Sequence, residues 1–227
     1  MSKTIAAFDF DGTITTCDSL REFLFFSLGR RKALLKLTLL LPFLIAFLLK
    51  IIPRQKVKEK VLTTFFKGVS REKITHLGQA FATSSAMNKI LREEVLQRLQ
   101  FHKEQGHRCI LISASIDPYL VPWGKLVGFD DVLCSTLEIS PQDMVTGKLQ
   151  GANCWGPEKV VRLKNLLGGE IDRYTIHAYG DSRGDKELLD MANYPTFFIS
   201  NNLIGMIKSS LYNRTRMSWQ KNVKTLR

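Results

Sequence analysis

No two cysteines of this chain form a C-x-x-C pair, and no two histidines form an H-x-H or H-E-x-x-H. Cys17, Cys109, Cys134 and Cys154 are scattered, as are His76, His102, His107 and His177. A structural zinc site is therefore not expected. The cysteines read as reduced and half-buried, as in a cytosolic protein. Acid is also scarce. Against 33 Lys and Arg stand 21 Asp and Glu, a formal charge of +12. That excess favours an anionic partner: nucleic acid, an acidic lipid surface or a phosphorylated substrate. Nucleic acid is the weakest of these, because the charge clusters beside apolar residues and no recognised reading module is present. No internal repeat or low-complexity linker interrupts the chain. Its start runs straight into an apolar strand, so no secretory leader is expected, and the sequon Asn213-Arg214-Thr215 carries no weight.

At 227 residues and 44% hydrophobic content the chain suits one large domain, or a core with a sizeable insertion. Its most informative segment is Asp9-Phe10-Asp11-Gly12-Thr13, which follows the apolar run Thr4-Ile5-Ala6-Ala7-Phe8. That run reads as a buried strand. Two carboxylates two residues apart at a strand end can point to one side. They repel unless a cation or proton intervenes. Gly12 permits the tight turn that follows.

Residues 18–105 read as almost wholly helical. Asp18-Ser19 caps a helix from Leu20 to Leu28. Gln55–Phe66, Arg71–Ser84 and Asn88–Gln105 carry helical spacing, and Gly106 ends the last. After that, strands and helices alternate. Cys109–Ile112, Asp131–Ile139, Tyr174–Tyr179 and Thr196–Ile199 read as strands. Pro118–Val127, Glu158–Leu167 and Lys186–Met191 read as helices. Met144–Leu149 reads as a hairpin around Thr146-Gly147. This predicts an α/β fold, a parallel sheet with helical crossovers. The organisation expected is a catalytic core of residues 1–17 and 106–205, a helical cap of residues 18–105, and a basic tail of residues 206–227.

Polar clusters fall at the ends of core elements, where open α/β sheets bind ligands. Ser113 closes the strand Cys109–Ile112, Lys159 starts a helix, and Gly180-Asp181-Ser182-Arg183-Gly184-Asp185 closes the strand Tyr174–Tyr179. In that order, Asp9-x-Asp11-Gly12-Thr13, Ser113, Lys159 and Asp181-x3-Asp185 resemble the four motifs of the haloacid dehalogenase (HAD) superfamily of phosphatases. The resemblance covers roughly residues 3–30 and 106–200. It implies a HAD-like Rossmannoid core with an inserted all-helical cap of the first type. The 46-residue step from Ser113 to Lys159 leaves no room for the large second-type cap, a pattern similar to the subgroup containing phosphoserine phosphatase.

The resemblance also implies roles. Asp9 attacks phosphorus and forms an aspartyl-phosphate. Asp11 protonates the leaving oxygen and then activates water. Asp9, the carbonyl of Asp11 and Asp181 hold Mg²⁺, with Asp185 assisting. Ser113 and Lys159 contact the phosphoryl oxygens, helped by backbone N–H groups after Ser113 at a helix N-terminus.

The segment Ala33–Ile52 bears on the substrate. Its centre, Leu37–Leu49, is thirteen residues without a charge. A helix apolar all round is buried in protein or in lipid. Its length of about 20 residues could span a bilayer, but a single crossing would separate Asp9 from Ser113, Lys159 and Asp181. The segment is therefore expected to dip into the membrane, lie in the interface or pack in an oligomer, and Pro42 favours a break into two arms. Arg30, Arg31, Lys32 and Lys36 precede it. Lys50, Arg54, Lys56, Lys58 and Lys60 follow it, with Glu59 opposing. Charge on both flanks suits one anionic cytoplasmic surface. The tail Lys208–Arg227 is a second basic candidate. Arg21, Glu22 and Arg54 are polar candidates at the cap entrance.

A HAD phosphatase with such a cap resembles the bacterial phosphatidylglycerophosphatase C group. That implies a Mg²⁺-dependent phosphomonoesterase acting on a phospholipid head group, peripheral or monotopic at the inner face of the cell membrane. Two alternatives stand beside it: a soluble phosphoserine phosphatase-like enzyme whose apolar segment dimerises, and a non-catalytic membrane-binding protein.

Overall fold

A computed structural model describes residues 3–49, 51–168 and 171–198. The first strand, β1 (Lys3–Phe8), lies at the centre of a five-stranded parallel sheet. On one side it pairs with β2 (Arg108–Ile116), and β2 with β3 (Asp131–Ser135). On the other side come β6 (Tyr174–Gly180) and β7 (Tyr194–Phe197). A two-stranded antiparallel sheet is formed by β4 (Leu137–Ile139) and β5 (Val145–Leu149). Because β1 is buried on both faces, it reads as an unbroken apolar run rather than an alternating one. Ala6 and Phe8 join the larger core, with Leu111 and Tyr179. Ile5 and Ala7 join the smaller core on the other face, with Ile110, Ile112 and Leu163. Strand order reverses at β1, so Asp9 sits at the topological switch point where such sheets open a crevice.

Between β1 and β2 run α1 (Ser19–Leu28), α2 (Arg30–Thr38), α3 (Leu41–Leu48), α4 (Arg54–Phe66), α5 (Arg71–Ala82), α6 (Ser85–Asn88) and α7 (Glu93–Glu104). Asp18 caps α1 by accepting from the Arg21 N–H. The last helix, α7, packs on the sheet: its His102 meets Phe8 edge-on and contacts the Tyr179 hydroxyl at 2.7 Å. The expected helix Asn88–Gln105 is broken at residues 89–92. There the backbone turns to serve the loop after β1: the Thr16 N–H donates to Ile90 O, and the Arg92 N–H to Ile14 O. The core helices are α8 (Asp117–Val127), α9 (Pro157–Leu166) and α10 (Lys186–Met191).

Two other expectations are corrected. Asp131–Ile139 is not one strand: β3 leaves the parallel sheet at Ser135, and β4 pairs with β5 instead. Residues 144–149 do not form a hairpin, because Val145–Leu149 is a single strand. Gly147, with φ +87°, is there for close approach. A Cβ at that position would collide with the backbone of Thr63 on α4.

The apolar segment does break, into α2 and α3, with Pro42 in the first turn of α3. Ala33 and Leu40 are buried, but no residue of α3 is. Leu34, Leu35, Leu39, Leu41, Ile45, Leu48, Leu49 and Ile51 are all exposed. Among the described residues, no helix is long and apolar enough to cross a membrane. Lys36 folds back onto α4, donating to Thr64 O at 2.8 Å and lying over the Phe65 ring. The expected tail, residues 206–227, and the end of the expected last strand lie outside the described residues.

Candidate active site

The Asp9 N–H donates to Tyr179 O at 2.9 Å, so its backbone continues the pairing of β1 with β6 past the strand end. The chain then turns through Gly12, at φ +87°. A side chain on Gly12 would overlap the Asp181 carboxylate, so glycine lets the loop after β6 close on the loop after β1. Asp9, Asp181 and Asp185 offer carboxylate oxygens all within 4.8 Å of one another.

Lys159, in the first turn of α9, is 2% exposed, and its Nζ lies 2.5 Å from both Asp9 Oδ1 and Asp185 Oδ1. Burial alone would lower its pKa, but Asp185 and Asp9 outweigh that and raise it, so the ammonium stays charged. Burial raises the pKa of Asp9 well above the usual carboxylate value. Asp185 and Asp181 push the same way, and Lys159 opposes. Asp185 is fixed by its second oxygen, which accepts from the Asp181 and Ser182 N–H groups and the Ser182 hydroxyl.

Asp11 points elsewhere. Its carboxylate accepts from the Ser19 N–H at 2.7 Å and from the Ser115 hydroxyl. Burial, with Asp18 nearby, raises its pKa to about 6, while Ser115 and Ser19 hold it down. The two carboxylates of the first motif thus have separate environments: Asp9 faces a cation, and Asp11 is a titratable group near neutral pH, suited to giving and taking a proton.

Ser113 is buried, and its hydroxyl accepts from the Ser115 N–H at 3.0 Å. The expectation that it ends its strand is corrected, because β2 runs on to Ile116. Between Ile112 and Ile116, β2 has three residues where β3 has one. The bulge turns Ser113, Ala114 and Ser115 toward the crevice. The N–H groups just after Ser113 therefore belong to β2 and not to a helix N-terminus, although α8 begins at Asp117, one residue before the expected Pro118.

Asp9, Asp11, Ser113, Lys159, Asp181 and Asp185 all line one cavity of about 530 Å³. Its cap-side wall includes Arg21, Leu44, Phe47, Arg54, Val57 and Lys58. Of the expected entrance residues, Arg21 and Arg54 line the cavity, and Glu22 instead pairs with Arg21 at 2.9 Å. Sequence reasoning misses Ser115, which bonds Asp11, and Lys58, which in sequence reads as part of the basic flank. Lys58 Nζ donates to Ala114 O and, at 3.0 Å, to Asn153 Oδ1. One available signal was its i+4 spacing from Arg54, which places both on one face of α4.

The residues fit a hard divalent cation. Three carboxylates from two loops converge, and oxygen donors in that number suit Mg²⁺ when a phosphate and waters complete its shell.

A family model described as haloacid dehalogenase-like hydrolase matches residues 6–190. Among curated proteins, CicA of Caulobacter vibrioides is 34% identical over 191 residues, covering 83% of each chain. Among solved structures, a protein with unknown function from Bordetella pertussis Tohama I superposes with a TM-score of 0.74 at 20% identity, covering 86% of this chain and 89% of that one. A phospho-aspartyl intermediate analogue of phosphoserine phosphatase superposes with a TM-score of 0.55 at 16% identity, covering 85% and 84%.

Proposed function

The chain belongs to the haloacid dehalogenase-like hydrolases, and from that premise we propose that it is a Mg²⁺-dependent phosphomonoesterase working on a phospholipid head group at a membrane surface. The observation that carries the chemistry is the separation of Asp9 from Asp11. Asp9 is the nucleophile: the Lys159 ammonium 2.5 Å away opposes the rise in pKa that burial imposes and favours the carboxylate form, and attack on phosphorus forms an aspartyl-phosphate as the ester oxygen departs. Asp11 is the acid that protonates that oxygen, and then the base that takes a proton from the water releasing phosphate. Lys159 and the Ser113 hydroxyl bind the phosphoryl oxygens, where negative charge gathers in the transition state. Asp9, Asp181 and Asp185, with the Asp11 carbonyl, would hold Mg²⁺, which supplies charge neutralisation at the phosphoryl oxygens. The solved phospho-aspartyl analogue of phosphoserine phosphatase supports this route by analogy of fold.

The lipid part rests on the cap. Leu44 and Phe47 of α3 line the cavity, and the same helix continues into the exposed apolar face. An acyl chain leaving the cavity past Leu44 and Phe47 would meet that face rather than water. The basic residues around it favour an anionic surface. Phosphatidylglycerophosphate, the substrate of the group this chain resembles, satisfies these requirements. The test is phosphate release with Mg²⁺ from mixed vesicles carrying phosphatidylglycerophosphate or phosphatidic acid, beside soluble phosphoserine. Release from a vesicle-borne monoester supports the reading. Release from phosphoserine alone refutes the lipid part.

A further inference from the structure

The cap-side wall of the cavity is cationic in a way the phosphoryl chemistry does not use. Arg54 and Lys58 are one helical turn apart on α4, and both line the cavity. Neither forms an ion pair among the described residues. The Arg54 guanidinium lies over the faces of Trp155, at 5.3 Å, and Phe47, at 5.8 Å. That holds its plane in place and leaves its N–H edge available to a ligand. Lys58 gives two of its three protons to neutral acceptors, Ala114 O and Asn153 Oδ1. Of the cap residues lining the cavity, Asp18 is the one carboxylate among those described, and its Oδ1 is engaged by the Arg21 N–H at the start of α1.

Position gives these cations a partner. Lys58 is bonded to Ala114, the residue between Ser113 and Ser115, and Ser115 holds Asp11. Asp11 is the group that serves the leaving oxygen, so the first atoms of the leaving group pass beside Lys58. We propose that Arg54 and Lys58 form a second anion subsite, so that the preferred substrate carries, besides the phosphomonoester, a second acidic group on its leaving-group side. This rests on the phosphomonoesterase reading of the same cavity. A phosphodiester fits better than a carboxylate, because the wall continues into Leu44 and Phe47 and so accepts a group that carries further apolar substituents.

Binding to the Asp9→Asn protein in Mg²⁺, followed by calorimetry, tests the subsite without turnover. The probes are glycerol 3-phosphate, with one phosphate; glycerophosphoglycerol phosphate, with a monoester and a diester; and 3-phosphoglycerate, with a monoester and a carboxylate. A two-anion probe should bind about ten- to a hundredfold more tightly than glycerol 3-phosphate, the range of a charged hydrogen bond. The more favoured of the two names the source of the second anion. Adding Arg54→Gln or Lys58→Gln should erase the preference, and Arg54→Lys or Lys58→Arg should keep most of it, which separates lost charge from lost folding. Equal binding of all three probes overturns the inference, as does a preference that survives both Gln variants. Failure of the lipid reading looks different: the preference persists while vesicle-borne monoesters release no phosphate.

Discussion

Replacing Leu35, Leu39 and Leu48 together by serine should detach the protein from anionic vesicles while leaving its fold intact. These side chains are 68%, 69% and 77% exposed, so the folded protein loses little packing when they are shortened. On the proposed lipid reading, their value lies in transfer to lipid. Full burial of a leucine contributes about 1.5–3 kcal/mol, so side chains already about 70% exposed each contribute roughly 1–2 kcal/mol. Three together give about 3–6 kcal/mol, a fall in vesicle partitioning of roughly a hundred- to ten-thousandfold. Co-sedimentation with vesicles containing anionic lipid measures it. Phosphate release from a soluble monoester and the urea midpoint serve as controls, and both should change little. The reasoning is refuted if vesicle binding is unchanged, or if binding falls only in proportion to a loss of folded protein.

Two pH dependences follow from buried bases. Burial lowers the pKa of Lys58 to about 8, although Asp11, Asp18 and the thiols of Cys134 and Cys154 hold it up. A base with a lowered pKa loses its charge as pH rises through that value, so KM for a two-anion substrate should climb above a pH of about 8. In Lys58→Arg, which stays charged, that limb should vanish from the KM profile. His102 lies 2.7 Å from His107, ring nitrogen to ring nitrogen, and the same distance from the Tyr179 hydroxyl; burial first, then His177 and His107, lowers its pKa to about 4. The unfolded chain takes up this proton first, near pH 6.5. The contribution of neutral His102 is therefore complete above about pH 6.5 and is lost as pH falls toward about 4. Urea midpoints at a pH of about 7 and about 5 should differ by the equivalent of about 1–2 kcal/mol, and by less in His102→Gln.

The strand before Asp9 was legible because a central parallel strand must be apolar on both faces, and Ile5 to Phe8 are. The helix beginning at Ser19 was legible through its cap, a local feature. What was not legible depended on partners distant in sequence. Nothing local marks the bulge at Ser113, Ala114 and Ser115, because it arises from a register shift against β3. Gly147 imitates a turn glycine, and only the approach of Thr63 gives its real purpose. Residues 89–92 have helical spacing, but the loop after β1 claims their backbone. The site shows the same division. Asp9, Asp11, Ser113, Lys159, Asp181 and Asp185 were marked by four ordered motifs, and they converge on one cavity. Lys58 carried no motif, and its neighbours Ala114 and Asn153 lie 56 and 95 positions away.

The central claim is that Asp9 carries the phosphoryl group between substrate and water. Rapid quenching of the enzyme during turnover, followed by peptide mass spectrometry, tests it most directly. The account predicts a phosphoryl mass on the peptide bearing Asp9, at the Asp9 carboxylate, absent from Asp9→Asn along with phosphate release. Phosphate release at wild-type rate from Asp9→Asn, or a phosphoryl group trapped on another residue, would contradict it.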